Sequence, residues 1–289
     1  TRALSSAASD VYKRQAMGRN LMKHGFELHL YARHPQKVQD IVAEGAILHD
    51  SIASCVRACD VVITMVGFPD DVREVYMGEG GIFAHAREGQ LLIDMTTSSP
   101  KLAQELAQLG REKDLRVLDA PVTGGDAGAR EGTLTILIGG REEDAKAAWP
   151  LFEAMGRHIH HCGEAGCGQH MKLANQIMIA GALSGVSEAA AYIQKQGMDP
   201  QEMIDDLKAG AAGSRQLELL GPKMVRHDFA PGFFVKHFIK DMRLADAEAK
   251  EDGLQLNVLQ TVLDNFEQLA EEGHADDGTQ CLITRYLKY

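Results

Sequence analysis

Positive charge is in short supply. The 289-residue chain has 30 Lys and Arg against 41 Asp and Glu, a formal net charge of −11. Nucleic-acid binding needs a basic footprint, so this balance argues against such a partner. Long hydrophobic runs are scarce too, and none reads as the ~18–20 residues of a membrane span. Five scattered cysteines, an odd number, argue against a disulfide framework and fit a reduced, cytoplasmic protein. Neither internal repeats nor low-complexity segments appear. What remains is an ordinary globular composition, 45% apolar and 25% charged. The length is sufficient for two domains.

The first half alternates strand-like and helix-like segments. Strand patterns fall at 26–31, 60–66, 90–95, 115–118 and 133–138, and helical patterns at 36–44, 50–58, 69–77, 99–113 and 141–154. The run Asp-Val-Val-Ile-Thr-Met-Val at 60–66 reads as a strand buried on both faces. Thr97-Ser-Ser-Pro100 reads as a capped helix start. Such alternation implies βαβ units and a mostly parallel sheet. Beyond about residue 165 strand signals stop, and helices are expected near 168–196, 199–211, 215–227, 236–252, 256–272 and 277–287. Pro200 suits a first helical position, and Gly253 and Gly273 suit helix ends. The expected fold is therefore α/β: a Rossmann-type, mostly parallel sheet domain over 1–165, then an all-α domain for substrate binding and dimerisation over 166–289.

Two stretches carry chemistry. Residues 168–175, Gly-Gln-His-Met-Lys-Leu-Ala-Asn, open a long helix after a glycine-rich loop. At 3.6 residues per turn, Gly168, Lys172, Asn175 and Gln176 share a face. A Lys among apolar neighbours there can polarise a carbonyl or shuttle a proton; a lone helical Lys is otherwise a solvated side chain. The second stretch is Asp-Ala-Pro-Val-Thr-Gly-Gly-Asp-Ala-Gly-Ala-Arg-Glu-Gly at 119–132, just after a strand. Open α/β sheets place ligands at such strand ends. Thr123 offers a hydroxyl, and Gly124 and Gly125 let backbone N–H groups approach a carboxylate. An ordinary strand-to-helix loop is the competing reading. A third group, His158, His160, His161, Cys162, Cys167 and His170, has zinc-compatible chemistry but no compact zinc spacing. The alternation at 157–162 instead fits a short strand, and no metal is expected.

Together these stretches resemble the 3-hydroxyacid dehydrogenase family typified by 3-hydroxyisobutyrate dehydrogenase. The resemblance runs from about Ala16 to the C-terminus. It rests on Met17-Gly18, Thr64-Met65-Val66, Asp94-Met-Thr-Thr97, Asp119 to Gly125, Gly168 to Asn175 and Lys240-Asp241, six motifs in order. It implies Lys172 as the catalytic Lys and Asn175 as its substrate-orienting partner. It implies further that Thr123, Gly124 and Gly125 hold the substrate carboxylate and that Lys240 lies near the nicotinamide. Met17, Gly18, Met65, Val66 and Thr96 would line the cofactor path. An ion pair between Lys240 and Asp241 is not expected, because adjacent helical positions do not face each other.

The start of the chain departs from that pattern. A Rossmann domain begins with an apolar strand running into Gly-x-Gly-x-x-Gly. Aligning Gly18 with the closing glycine puts Lys13 and Gln15 where the first two belong, after a polar Ser-Ser-Ala-Ala-Ser-Asp at 5–10. Three readings compete. Residues 1–15 are foreign sequence, which is the favoured one; they are a transit peptide; or the protein has lost cofactor binding. Cofactor choice is read at the end of the second strand, where Tyr31-Ala-Arg33-His34 and nearby Lys37 favour NADP over NAD.

The expected function is that of an NAD(P)-dependent oxidoreductase. It would interconvert a small hydroxy acid with its aldehyde or keto acid, and Lys172 would move the proton. The chain is expected to be a homo-oligomer whose partner is a small carboxylate. The alternative is a non-catalytic nucleotide-binding or interaction protein of the same fold.

Overall fold

The computed structural model describes residues 11–287, with side chains from Lys13 onward. Residues 1–10, most of the segment expected to be foreign, lie outside the described residues. The chain divides into two compact units between Lys172 and Leu173.

The first unit alternates as its sequence pattern demands. Its elements are α1 (Val11–Lys23), β1 (His29–Tyr31), α2 (Gln39–Ala43), β2 (Ile47–His49), α3 (Ile52–Ala58), β3 (Val61–Thr64), α4 (Pro69–Met77), β4 (Leu91–Asp94) and α5 (Pro100–Arg111). There follow β5 (Arg116–Asp119), β6 (Val122–Thr123), α6 (Gly125–Glu131), β7 (Leu134–Gly139), α7 (Glu142–Met155) and β8 (Gly156–Gly163). Ser51 and Ser99 cap α3 and α5, each hydroxyl accepting from the backbone N–H three residues on.

Strands β3, β4 and β5 run parallel, Val62 opposite Leu92 and Leu92 opposite Val117. Strand β7 is antiparallel to β5 and β6 and parallel to β8. Strands β1 and β2 form a separate parallel pair. Among the described residues no strand is hydrogen-bonded between β1 and β3. In the doubly wound order the first strand of the domain occupies that place.

Side-chain alternation explains the two buried faces. Ile63, Met65, Leu91 and Ile93 join a core with Ala16, Met17, Leu21, Phe152 and Met155. The alternate residues Val62, Leu92 and Val117 join Val56, Tyr76 and Leu106 on the other face. Each large side chain so buried contributes about 1.5–3 kcal/mol.

Three elements differ from the sequence expectation. Strands β2 and β6 have only three and two residues, too short for a periodic signal. Helix α6 is Gly-Asp-Ala-Gly-Ala-Arg-Glu, a composition with poor helix propensity. Tertiary contacts hold it: Ala129 is fully buried, and its carbonyl accepts from Asn20 Nδ2 at 2.7 Å. Lys13 and Gln15, expected in a phosphate-binding turn, lie inside α1.

Helix α8 (Cys167–Lys195) begins in the first unit and continues into the second, which holds α9 (Pro200–Leu207), α10 (Arg215–Val225), α11 (Val235–Glu251) and α12 (Asn257–Leu269). A π turn (Ala270–His274) and a 3-10 helix (Thr279–Arg285) follow. Asp199 and Ser214 cap α9 and α10, and Gly253 and Gly273 have φ of 73° and 101° at helix ends. Leu183, Phe238, Met242, Phe266 and Leu282 form the core, with Phe238 and Phe266 edge to face at 5.2 Å. By length and composition α8 could cross a membrane, contrary to the expectation that no run is long enough. Its Leu173, Ala180, Leu183, Val186 and Ala190 are buried among the helices of this unit, whereas Met178 and Tyr192 are exposed.

Candidate functional site

The carboxyl ends of β3, β4 and β5 gather a buried polar network in the first unit. Val66, just past β3, donates its N–H to Thr96 Oγ1 at 2.9 Å. Thr96 in turn donates its N–H to Asp94 Oδ1 at 3.1 Å. The same oxygen accepts from the Thr64 hydroxyl at 2.9 Å, and the Tyr76 hydroxyl lies 3.1 Å from Thr64. Burial pushes the Asp94 carboxyl up to about 6, with the hydrogen bonds from Thr96 and Thr64 opposing the rise. Burial also holds the Tyr76 phenol well above its usual range.

Asp119 ends β5 and grips the start of α8. Its Oδ1 accepts from Gly166 N–H at 2.8 Å and its Oδ2 from Gln169 N–H at 2.9 Å. A carboxylate there satisfies N–H groups that a helix start leaves unpaired and complements its dipole. Gln169, fully buried, completes the grip: Nε2 donates to Thr96 O at 2.7 Å and Oε1 accepts from Ser98 N–H at 2.9 Å. Gly168 makes the approach possible, because a Cβ there would collide with the Leu137 carbonyl and the Asp119 carboxylate. Lys172 follows one turn later and is 7% exposed.

Three and four residues beyond Lys172, Asn175 and Gln176 extend the same helical face. Within the second unit Asn175 Nδ2 donates to Gln176 Oε1 at 2.8 Å, and Gln176 Nε2 donates to Asp241 Oδ2 at 2.6 Å. Lys240 Nζ lies 3.0 Å from Asp241 Oδ1, with both side chains largely buried. The expectation that these neighbours do not pair is therefore wrong. Adjacent Cβ atoms diverge, but the four-carbon stem of Lys240 folds back and brings the ammonium to the carboxylate. Burial favours this, since an unpaired charge there would be costly.

Thr123 is half-buried at the end of β6. Gly124 and Gly125 follow it exposed, with φ of 130° and 65°, conformations that favour glycine. No side chain caps α6, which begins at Gly125. Arg33, after β1, is held at 3.1 Å by both Asp71 and Glu74. Met17 is a core residue, whereas Gly18 packs so closely that a Cβ would come within 2.9 Å of Leu28 Cδ2.

A dinucleotide fits these residues in part. Close helix packing at Gly18 is what the closing glycine of a phosphate turn provides, and Met65, Val66 and Thr96 follow the carboxyl ends of β3 and β4. The first turn of α1 departs from that pattern. Arg14, buried, donates Nη1 to Met65 O at 2.9 Å, and Gln15 Nε2 donates to Lys37 O at 2.6 Å. The histidine-rich segment at 157–162 is part of β8, with His161 Nε2 2.7 Å from Gly140 O.

Sequence reasoning assigned no role to Asp94, Asp119 and Gln169, which hold the strand ends and the start of α8, nor to the Gln176–Asp241 bond within the second unit. A signal was present for the first two, since each is a carboxylate placed directly after buried apolar residues at the end of a strand. Gln169 and Gln176 stand seven residues apart, two helical turns, on either side of Lys172.

The family model for the NAD binding domain of 6-phosphogluconate dehydrogenase matches residues 15–163. That for the NAD-binding region of NADP-dependent 3-hydroxyisobutyrate dehydrogenase matches residues 166–286. The chain is 44% identical over 274 residues to the uncharacterized oxidoreductase YkwC of Bacillus subtilis, covering 95% of each chain. It is 34% identical over 267 residues to the 3-hydroxyisobutyrate dehydrogenase of Pseudomonas aeruginosa, covering 89% of this chain and 90% of that one. Among solved structures, the Mycobacterium tuberculosis 3-hydroxyisobutyrate dehydrogenase with L-serine superposes with a TM-score of 0.87 at 28% identity. That superposition covers 99% of this chain and 98% of the other.

Proposed function

Because the chain belongs to the 3-hydroxyisobutyrate dehydrogenase family of NAD(P)-dependent hydroxyacid dehydrogenases, we propose that it interconverts a small 3-hydroxy acid with its aldehyde or keto acid and that Lys172 transfers the proton. One observation carries this reading. Lys172 is a buried residue on the first turns of a helix whose start is gripped by Asp119 and Gln169, so its backbone is held in place and its side chain is largely withdrawn from solvent. The bound nicotinamide supplies or accepts the hydride. Lys172 donates a proton to the substrate oxygen in reduction and withdraws it in oxidation. Asn175 fixes the orientation of the substrate, with Gln176 and Asp241 holding Asn175 in turn. Thr123 and the N–H groups of Gly124 and Gly125 hold the carboxylate.

Met65, Val66, Thr96 and Gly18 serve the cofactor, with Lys240 beside the nicotinamide. Arg33 favours NADP through the adenosine 2′-phosphate. Residues 1–165 act as the dinucleotide-binding domain and 166–289 as the substrate and dimerisation domain of a homo-oligomer. The support for a short 3-hydroxy acid is the name of the P. aeruginosa relative and the L-serine bound by the M. tuberculosis structure. A panel of small hydroxy acids and semialdehydes, followed by reduced-nicotinamide absorbance with NADP and with NAD, tests it. Turnover confined to short 3-hydroxy acids with NADP is expected. With the cofactor at saturating concentration, turnover only of acids hydroxylated elsewhere, or of none, would refute it.

A further inference from the structure

The end of the second unit carries a donor cluster that hydride transfer leaves unused. His274 Nδ1 and Asp277 Oδ2 are 2.7 Å apart, and the Cys281 sulfur is the third donor of the group. One ligand atom from each of the three lies within 4.8 Å of the others. We propose that His274, Asp277 and Cys281 form a divalent metal site matched to zinc, with water in the fourth position.

The donor set decides the metal. Sulfur, imidazole nitrogen and one carboxylate oxygen suit zinc, whereas magnesium and calcium prefer all-oxygen shells. Tetrahedral coordination at about 2.0–2.3 Å places ligand atoms about 3.3–3.6 Å apart. The His274–Asp277 pair opens by about 0.6 Å to meet that, and the sulfur closes by about 1.3 Å at most.

The turn that carries the ligands is built before any metal arrives. Asp277 O accepts from Val235 N–H at 3.0 Å and Ala275 O from Lys236 N–H at 3.1 Å. Gly278 N–H donates to Phe229 O at 2.9 Å and Thr279 N–H to Phe233 O at 3.1 Å. Gln280 Nε2 adds bonds to Asp228 O and Ala230 O at 2.8 and 3.0 Å. Burial is graded across the site: Cys281 is fully buried, while the His274 and Asp277 side chains are 34% and 39% exposed. A cation therefore enters from the His–Asp side and keeps a solvent-facing position for water. Such a site ties the end of α12 to the final 3-10 helix, so metal binding adds to the stability of this unit.

Titrating the full chain with Co²⁺ tests the assignment. A thiolate-to-cobalt charge-transfer band in the near ultraviolet with intense tetrahedral visible bands is expected, abolished by excess Zn²⁺. Cys281→Ser should lose the charge-transfer band, and His274→Gln should weaken cobalt binding by about tenfold or more. A Cys162→Ser, Cys167→Ser double variant should keep the band. Should Cys281→Ser fail to fold, the half-exposed His274 variant decides. No thiolate band in the unmodified chain, or cobalt affinity and band unchanged in His274→Gln, overturns the site.

Discussion

Replacing Asp94 by Asn should stabilise the protein at neutral pH and leave it almost unchanged near pH 4. Asp94 closes β4, 4% exposed, under the Thr96–Val66 ledge at the strand edge. Its carboxyl is raised from 3.8 to about 6, chiefly by burial. The folded state therefore holds a proton that the unfolded chain releases between those values. Stability from this group is fully present below 3.8 and is lost as pH rises through about 6. At about 1.36 kcal/mol per pH unit the loss amounts to about 3 kcal/mol. Asn mimics the protonated acid: its oxygen can keep the bonds from Thr64 and Thr96, and no charge is buried. Urea unfolding of both proteins at intervals from pH 4 to 7.5 measures the difference. The variant should gain steadily on wild type between about pH 4 and 6 and level off above about 6. A difference independent of pH, or one that shrinks as pH rises, would refute the reasoning.

Gly168→Ala should destabilise the first unit by about 1–3 kcal/mol, because the added methyl meets the Leu137 carbonyl and Asp119; thermal unfolding reads it, and Gly185→Ala, with open space around its Cβ, should cost nothing. Arg33→Asp should move preference from NADP towards NAD by removing the charge that favours a 2′-phosphate. Comparing kcat/KM for both cofactors checks this, and an unchanged ratio makes Arg33 only the partner of Asp71 and Glu74. Weak NADPH binding is expected for this chain, because Lys13 and Gln15 stand where close backbone approach needs glycine. Replacing residues 1–15 with an apolar strand and Gly-x-Gly should tighten binding at least about tenfold by fluorescence titration, through a helix-terminus phosphate site. Tight binding by the unmodified chain would contradict it.

The parts of this molecule legible in its sequence are those where one physical preference dominates. Residues 61–63 and 91–93 are short continuous apolar runs of the kind that suits a strand covered on both faces, and β3 and β4 lie there. Pro200 announces a helix start through its fixed φ, and Ser99 through its capping hydroxyl. The α6 helix was hidden because packing, not propensity, forms it. Strands β2 and β6 were hidden because two or three residues carry no period. For the site, the family motifs pointed to Lys172 and Asn175, but not to what holds them. The grip of Asp119 on Gly166 and Gln169 links positions nearly fifty residues apart, and no local pattern encodes that. The Lys240–Asp241 pair was misjudged because helical geometry was applied to Cβ directions, whereas the ammonium sits at the end of a long flexible stem.

Turnover by Lys172→Ala, measured beside its NADPH affinity, bears most directly on the account. Loss of the proton-transfer group should lower kcat by about 10²–10⁴. Cofactor affinity should stay within a few-fold, since the amine is assigned to the substrate oxygen rather than the nucleotide. A variant that keeps more than about a tenth of wild-type kcat on the best substrate would contradict the assignment, because a general acid/base contributes more than that.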